Sequence, residues 1–282
     1  MILRSLLSRR RTPTGTSTSS QVLHTALLLK AIARHWLKAG PDTLAAMSAI
    51  IRRLDPPRPG LTKTNRDRLR AFEDPANRTA LIQLPRTLMQ AAQKTQQPRQ
   101  AALLAQTAVA IELLLMAPLR ISNLAMLDIP RHLIRTRRQV ALVLDEHEVK
   151  NATPLDYPLP AESVALLEAY LHHHRPRLVQ DGTTALFPGR EGGPKSVNVL
   201  RQQIMHAVRR YTGLVVNPHL FRHIGAKVYL DAHPGAYEVV RRVLGHRSMA
   251  TTTRFYTGLE TAAAVRHFDA VILRQRKPGA QA

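Results

Sequence analysis

Tyr256 closes a threonine-rich run, Thr251-Thr-Thr-Arg-Phe-Tyr256, and shares the stretch 218–256 with His219, Arg222 and His246. His219 and Arg222 are three residues apart, so on a helix they share a face. His246 follows Gly245, where the backbone can turn sharply. A phenol beside two imidazoles and a guanidinium suits a nucleophile aimed at a phosphate. Upstream, Arg120 and Lys150 could add positive charge to the same centre.

The elements that must hold these groups are mostly helical. Residues 101–116 are almost continuously apolar and rich in alanine and leucine, which predicts a buried helix. Pro118 breaks it and Arg120 follows at once, so that arginine is held rigidly. A short helix is expected over residues 121–127. Residues 139–144 and 155–159 read as strands, with Lys150 at or near the turn between them. Helices are expected over residues 161–173 and 197–211, the latter with a basic face of Arg201, Arg209 and Arg210. Residues 224–230 are helix-like, residues 231–235 form a turn, and Tyr256 sits on a short helix. A terminal helix covers residues 259–273.

Before these elements the pattern predicts helices over residues 22–37 and 42–54, the second capped by Asp42 and stopped by the proline cluster at 55–60. A basic stretch follows at 61–70, then a helix over 79–92 that Pro85 kinks or restarts. The polar segment 94–99 reads as a domain joint. Residues 1–20 read as a flexible basic tail.

Composition narrows the partner. Among 282 residues, 41 Lys and Arg face 19 Asp and Glu, a formal charge of +22. Such an excess points to a polyanion, with DNA or RNA the first expectation and an anionic membrane surface the competitor. No apolar run approaches the roughly 18 residues of a membrane span. Cysteine is absent, which excludes disulfides, thiolate catalysis and cysteine-ligated zinc. The consecutive His172, His173 and His174 point about 100° apart on a helix and cannot chelate one metal together.

Five pieces together resemble the tyrosine recombinases, the phage-integrase-type site-specific recombinases. They are Ala117-Pro-Leu-Arg-Ile-Ser-Asn-Leu124, Lys150 in a hairpin closed by Tyr157-Pro-Leu159, His219-Leu-Phe-Arg222, Leu244-Gly-His246 and Thr251-Thr-Thr-Arg-Phe-Tyr256. The resemblance covers roughly residues 95–275. Asn123 stands where the family commonly has an acid.

The resemblance implies a mainly α fold with a small antiparallel β-sheet, an α+β catalytic domain over residues 95–282. A short helical DNA-binding domain over 21–94, an incomplete core-binding domain, would precede it. The implied activity is cutting and rejoining DNA through a 3′-phosphotyrosine on Tyr256, without metal, ATP or other cofactor. His219 would be the base, Arg120 and Arg222 the grip on the phosphate oxygens, Lys150 the proton donor to the departing 5′ oxygen, and His246 a hydrogen-bond donor. A homo-tetramer on synapsed DNA and a cytoplasmic, nucleoid-associated location are also implied, with no membrane.

Two other readings stay open. The chain could be a truncated, non-catalytic DNA-binding relative, or a DNA-relaxing enzyme resembling type IB topoisomerases. Each residue also has a structural alternative: a capping Arg120, a solvated turn at Lys150, a structural His219 beside Arg222, a turn residue at His246 and a core Tyr256.

Overall fold

Ser20–His35 (α1) and Pro41–Arg52 (α2) follow the helical spacing of their apolar residues and pack on each other. Asp42 is not the cap of α2. Gly40 holds that position and Pro41 opens the helix, because proline has no N–H to leave unpaired in the first turn. Asp42 lies in that turn, where its charge complements the helix dipole. These helices belong to one compact unit, residues 1–60; residues 61–282 form a second. The computed structural model describes residues 20–54, 60–180 and 182–275. The expected tail and nearly all of the proline cluster lie outside them.

The second unit begins with Lys63–Arg70 (α3), whose cap Thr62 accepts from Asn65 N at 3.2 Å. Pro75–Lys94 (α4) is capped by Asp74, which accepts from Ala76 N at 2.8 Å. Pro85 neither ends nor restarts α4; it is buried inside the helix. Pro98–Met116 (α5) runs against α4, with only residues 95–97 between them. Residues 95–97, within the expected joint at 94–99, link α4 to α5 inside the second unit, and the two units divide at Gly60–Leu61.

Eleven residues of α5 are buried, from Ala101 to Leu114, as its uniform apolarity requires. By length and composition α5 could cross a membrane, contrary to the expectation from apolar runs. Gln106, Thr107 and Glu112 interrupt the run without lowering the mean hydropathy enough. Most of α5 is nonetheless enclosed by its neighbours, as a core helix is.

Ile121–Ala125 (α6) and Ile129–His132 (α7) lead into a three-stranded antiparallel sheet. Its strands are Leu133–Arg135 (β1), Val140–Leu144 (β2) and Leu155–Pro158 (β3), in that spatial order. β2 pairs with β3 through Leu142 opposite Tyr157 and Leu144 opposite Leu155. β1 was not anticipated, being three residues of arginine-flanked sequence whose pairing with β2 is tertiary.

Ala161–Ala169 (α8) continues into one wider turn, Tyr170–His174, so the predicted single helix changes character there. Val197–Thr212 (α9) ends at Gly213, whose φ of 73° terminates the helix. Pro218–Ala232 (α10), Tyr237–Val243 (α11), Met249–Tyr256 (α12) and Thr261–Gln275 (α13) complete the chain. Asn217 caps α10 by accepting from Leu220 N at 3.0 Å, so His219 and Arg222 lie on one continuous helix. A large core spans α3 to α10, and a smaller cluster joins Ala226, Leu230, Val240, Leu244 and Tyr256.

Candidate active site

Arg120 occupies the N-cap position of α6 but makes no capping bond, which leaves its guanidinium for other partners. The preceding Ala117, Pro118 and Leu119 are buried, so its backbone is fixed. Arg222 is only 4% exposed. It donates to the carbonyls of Pro118 and, at 2.6 Å, of Leu244. It thus joins the turn before Arg120 to the end of α11. Burial and the neighbouring Arg120 charge both push the Arg222 pKa down. No carboxylate pairs with either arginine among the described residues. Two adjacent, unneutralised guanidiniums form a field that favours an anion.

Tyr256 ends α12 and is 1% exposed. Its hydroxyl lies 2.9 Å from His223 Nδ1. Burial raises the phenol's pKa well above its ordinary value. Burial and the His219, Arg222 and His246 charges lower that of His223 to about 3. The phenol is therefore the donor and the imidazole the acceptor. His219, expected as the base, does not hold the hydroxyl: the residue keeps contact with solvent, and its ring meets His223 edge-on at 4.9 Å between centroids. Desolvation of the ring within the site, then Arg222 and Arg120, lowers its pKa too.

His246 stacks near the Tyr256 ring at 6.4 Å, and its Nδ1 lies 2.9 Å from the buried Thr252 hydroxyl. Burial, Arg222, Arg120 and Arg241 bring its pKa to about 4. The buried His223 and half-buried His246 imidazoles are both neutral at neutral pH.

Lys150 lies in the turn between β2 and β3, and its exposed side chain has no ion-pair partner among the described residues. The site reaches it through its neighbour. Asn151 Oδ1 accepts from Arg120 Nη2 at 3.2 Å, and Asn151 Nδ2 donates to Gly245 O at 3.0 Å. Asn123 supports the same turn, donating to Glu148 O at 3.1 Å.

Five of the six expected groups, Arg120, His219, Arg222, His246 and Tyr256, are electrostatically or sterically coupled, and Lys150 stands beside them on its turn. Sequence reasoning missed His223, Asn151 and Thr252. For His223 a signal existed, since it is four residues after His219 and shares its helix face.

The phage integrase family model matches residues 83–262, which contain all six positions. The chain is 30% identical to the tyrosine recombinase XerD of Yersinia pestis over 158 residues, 54% of this chain and 49% of that protein. It is 36% identical to the tyrosine recombinase XerC of Methylobacterium nodulans over 96 residues, 33% of this chain and 29% of that protein. The chain thus spans about half or less of the length of these curated relatives. A Tn1549 transposon integrase solved with a circular intermediate DNA superposes with a TM-score of 0.53 at 16% identity, over 95% of this chain and 84% of that one. At that identity the likeness shows the fold. With the family match covering residues 83–262 of its 282, the chain belongs to the phage integrase family, the tyrosine recombinases.

Proposed function

We propose that this protein is a site-specific recombinase or integrase that cuts and rejoins double-stranded DNA through a covalent tyrosine intermediate. The observation that carries the reading is the unneutralised pair Arg120 and Arg222 beside Tyr256, with Lys150 unpaired on the adjoining turn. The two guanidiniums grip the non-bridging oxygens of the scissile phosphate and stabilise the charge that builds on them. The Tyr256 oxygen attacks phosphorus, forming the Tyr256–phosphorus bond as the bond from phosphorus to the 5′ oxygen breaks. The phenol's proton passes to an imidazole, and Lys150 gives a proton to the departing oxygen. Reversal by a second 5′ hydroxyl rejoins the strand. The phosphodiester's bond energy is kept in the phosphotyrosine, so no ATP is consumed, and the arginines supply the charge that a metal would otherwise supply.

His219 suits the role of base better than His223. A proton on buried His223 is costly, since its pKa is about 3. His219 is exposed and neutral, and can meet a tyrosine that leaves its pocket. If the Thr252 hydroxyl donates to His246 Nδ1, then Nε2 carries the ring proton and can donate to the phosphate. Attack requires α12 to move, because the hydroxyl is enclosed. Residues 21–94, which include the helices of the first unit and the opening helices of the second, are assigned to DNA binding and residues 95–282 to catalysis.

The test is covalent trapping. Wild type and Tyr256→Phe are incubated with nicked duplexes drawn from the DNA flanking the gene, then run on a denaturing gel. A shifted band in wild type that vanishes in Tyr256→Phe, with DNA binding retained, is the expected result. The burial of Tyr256 favours a second reading, a DNA-binding relative that does not cut. Binding without any adduct on cognate DNA would establish that reading instead.

A further inference from the structure

Four successive carbonyls at the end of α11 each accept a side-chain donor. Val243 O takes the Tyr157 hydroxyl at 2.7 Å and Leu244 O takes Arg222 Nη2 at 2.6 Å. Gly245 O takes Asn151 Nδ2 and His246 O takes Arg241 Nη1, both at 3.0 Å. A helix end leaves carbonyls without backbone partners, and here the site's own elements satisfy them. Two of the donors come from the β2–β3 hairpin that carries Lys150. The hairpin is also pressed on this turn sterically, since a Cβ added to Gly245 would lie 2.6 Å from Leu155 Cδ2.

Asn151 differs from the other donors because it is engaged at both ends. A turn asparagine ordinarily bonds its own local backbone. Asn151 instead bonds Arg120 and Gly245, residues 31 and 94 positions away. The next residue, Ala152, has a φ of 47°, a left-handed conformation that a non-glycine residue holds only when its surroundings impose it. Ala152 N bonds Val149 O at 3.0 Å, so Lys150 rides inside the turn that Asn151 anchors.

We propose that Asn151 is a positioning residue that clamps the Lys150 turn and the Arg120 guanidinium onto the backbone immediately before His246. It touches no reacting atom and acts through its neighbours, Lys150 above all. The proposal rests on the recombinase reading, under which Lys150 protonates the leaving 5′ oxygen. Misplacing a catalytic group by about 1 Å can cost about 100-fold in rate.

The test is single-turnover cleavage by Asn151→Ala and Asn151→Asp, on an ordinary nicked duplex and on one with sulfur in place of the bridging 5′ oxygen. A thiolate leaving group, with a conjugate-acid pKa of about 8.5, departs without a proton and so does not need Lys150. On oxygen, Asn151→Ala is expected to cleave about 10- to 100-fold more slowly with binding unchanged. Asn151→Asp keeps an acceptor for Arg120 but turns a carboxylate oxygen toward the Gly245 carbonyl, and it should be as slow. On sulfur, both should regain most of the lost rate, as Lys150→Ala should. A wild-type rate for Asn151→Asp, or a defect that sulfur leaves untouched, overturns the proposal. If wild type forms no adduct on either duplex, the recombinase reading fails, and amide exchange in the free protein then decides the clamp. Asn151→Ala should speed exchange at residues 149–152 and 245–247 together, and unchanged exchange at either segment refutes it.

Discussion

His223 holds the Tyr256 hydroxyl with a ring that stays neutral because its burial, the His219 and His246 imidazoles and the Arg222 charge oppose a proton. That has a consequence for stability. Folded, His223 binds its proton near pH 3; unfolded, near 6.5. Between those values the unfolded chain holds more protons, so stability is full above about 6.5 and falls as the pH drops toward 3. The slope from this one group is at most about 1.4 kcal/mol per pH unit. His223→Gln should therefore flatten the acid limb of stability measured by urea unfolding between pH 4.5 and 7. An unchanged limb would place the titration elsewhere. The motif His219-Leu-Phe-Arg222 drew attention to the first imidazole, and the gathering of Arg120, Arg222, His246 and Tyr256 at one centre was legible from residue type and order. Which of two histidines on one helix face is buried against the tyrosine is not a local property. It depends on where α12 packs, and no spacing within α10 records that.

At the scale of elements, Gly245 is the position where the turn before His246 and the hairpin meet. Its φ is +60°, and Leu155 fills the space where a side chain would stand. Gly245→Ala should destabilise the fold by about 1–3 kcal/mol. Adding Leu155→Ala should relieve the contact without relieving the backbone, so the double variant stays less stable than Leu155→Ala alone; chemical denaturation of all three measures this. Long helices such as α5 and α9 were legible because their patterns extend over several turns, an unbroken alanine- and leucine-rich run in α5 and a basic face against an apolar one in α9. The strand Leu133–Arg135 was not, because it exists only by pairing with β2. Pro85 misled in a similar way. In isolation a proline interrupts a helix, yet packing along α5 carries α4 through it.

For the whole molecule, on the recombinase reading, the charge of +22 sets how DNA is held. A protein neutralising about 6–10 phosphates loses about 10³–10⁵ in affinity between 50 and 200 mM salt. DNA binding should fall by at least about 10³-fold over that range, measured by fluorescence anisotropy. Binding to anionic vesicles as tight as that to DNA would contradict a nucleic-acid role. The carboxy-terminal helix α13 presents Val265, Phe268, Val271 and Ile272 to solvent, with Phe268 64% exposed. On the recombinase reading this face meets another protomer on synapsed DNA. Phe268→Glu with Val271→Glu should leave folding and single-site binding intact and abolish the tetramer in sedimentation on paired sites; tetramers that persist would remove α13 from assembly.

On the recombinase reading, the enclosure of Tyr256 bears on fidelity. A cationic protein travelling along DNA passes a phosphodiester at every step, and a permanently presented phenol would turn passage into random nicking. Stowed behind His223, the nucleophile makes encounter and incision separate events. Each 1.4 kcal/mol needed to bring it out lowers the incision frequency about tenfold. Cognate DNA is then distinguished by dwell time as well as by contacts: the site that detains the protein long enough for α12 to open is the site that is cut.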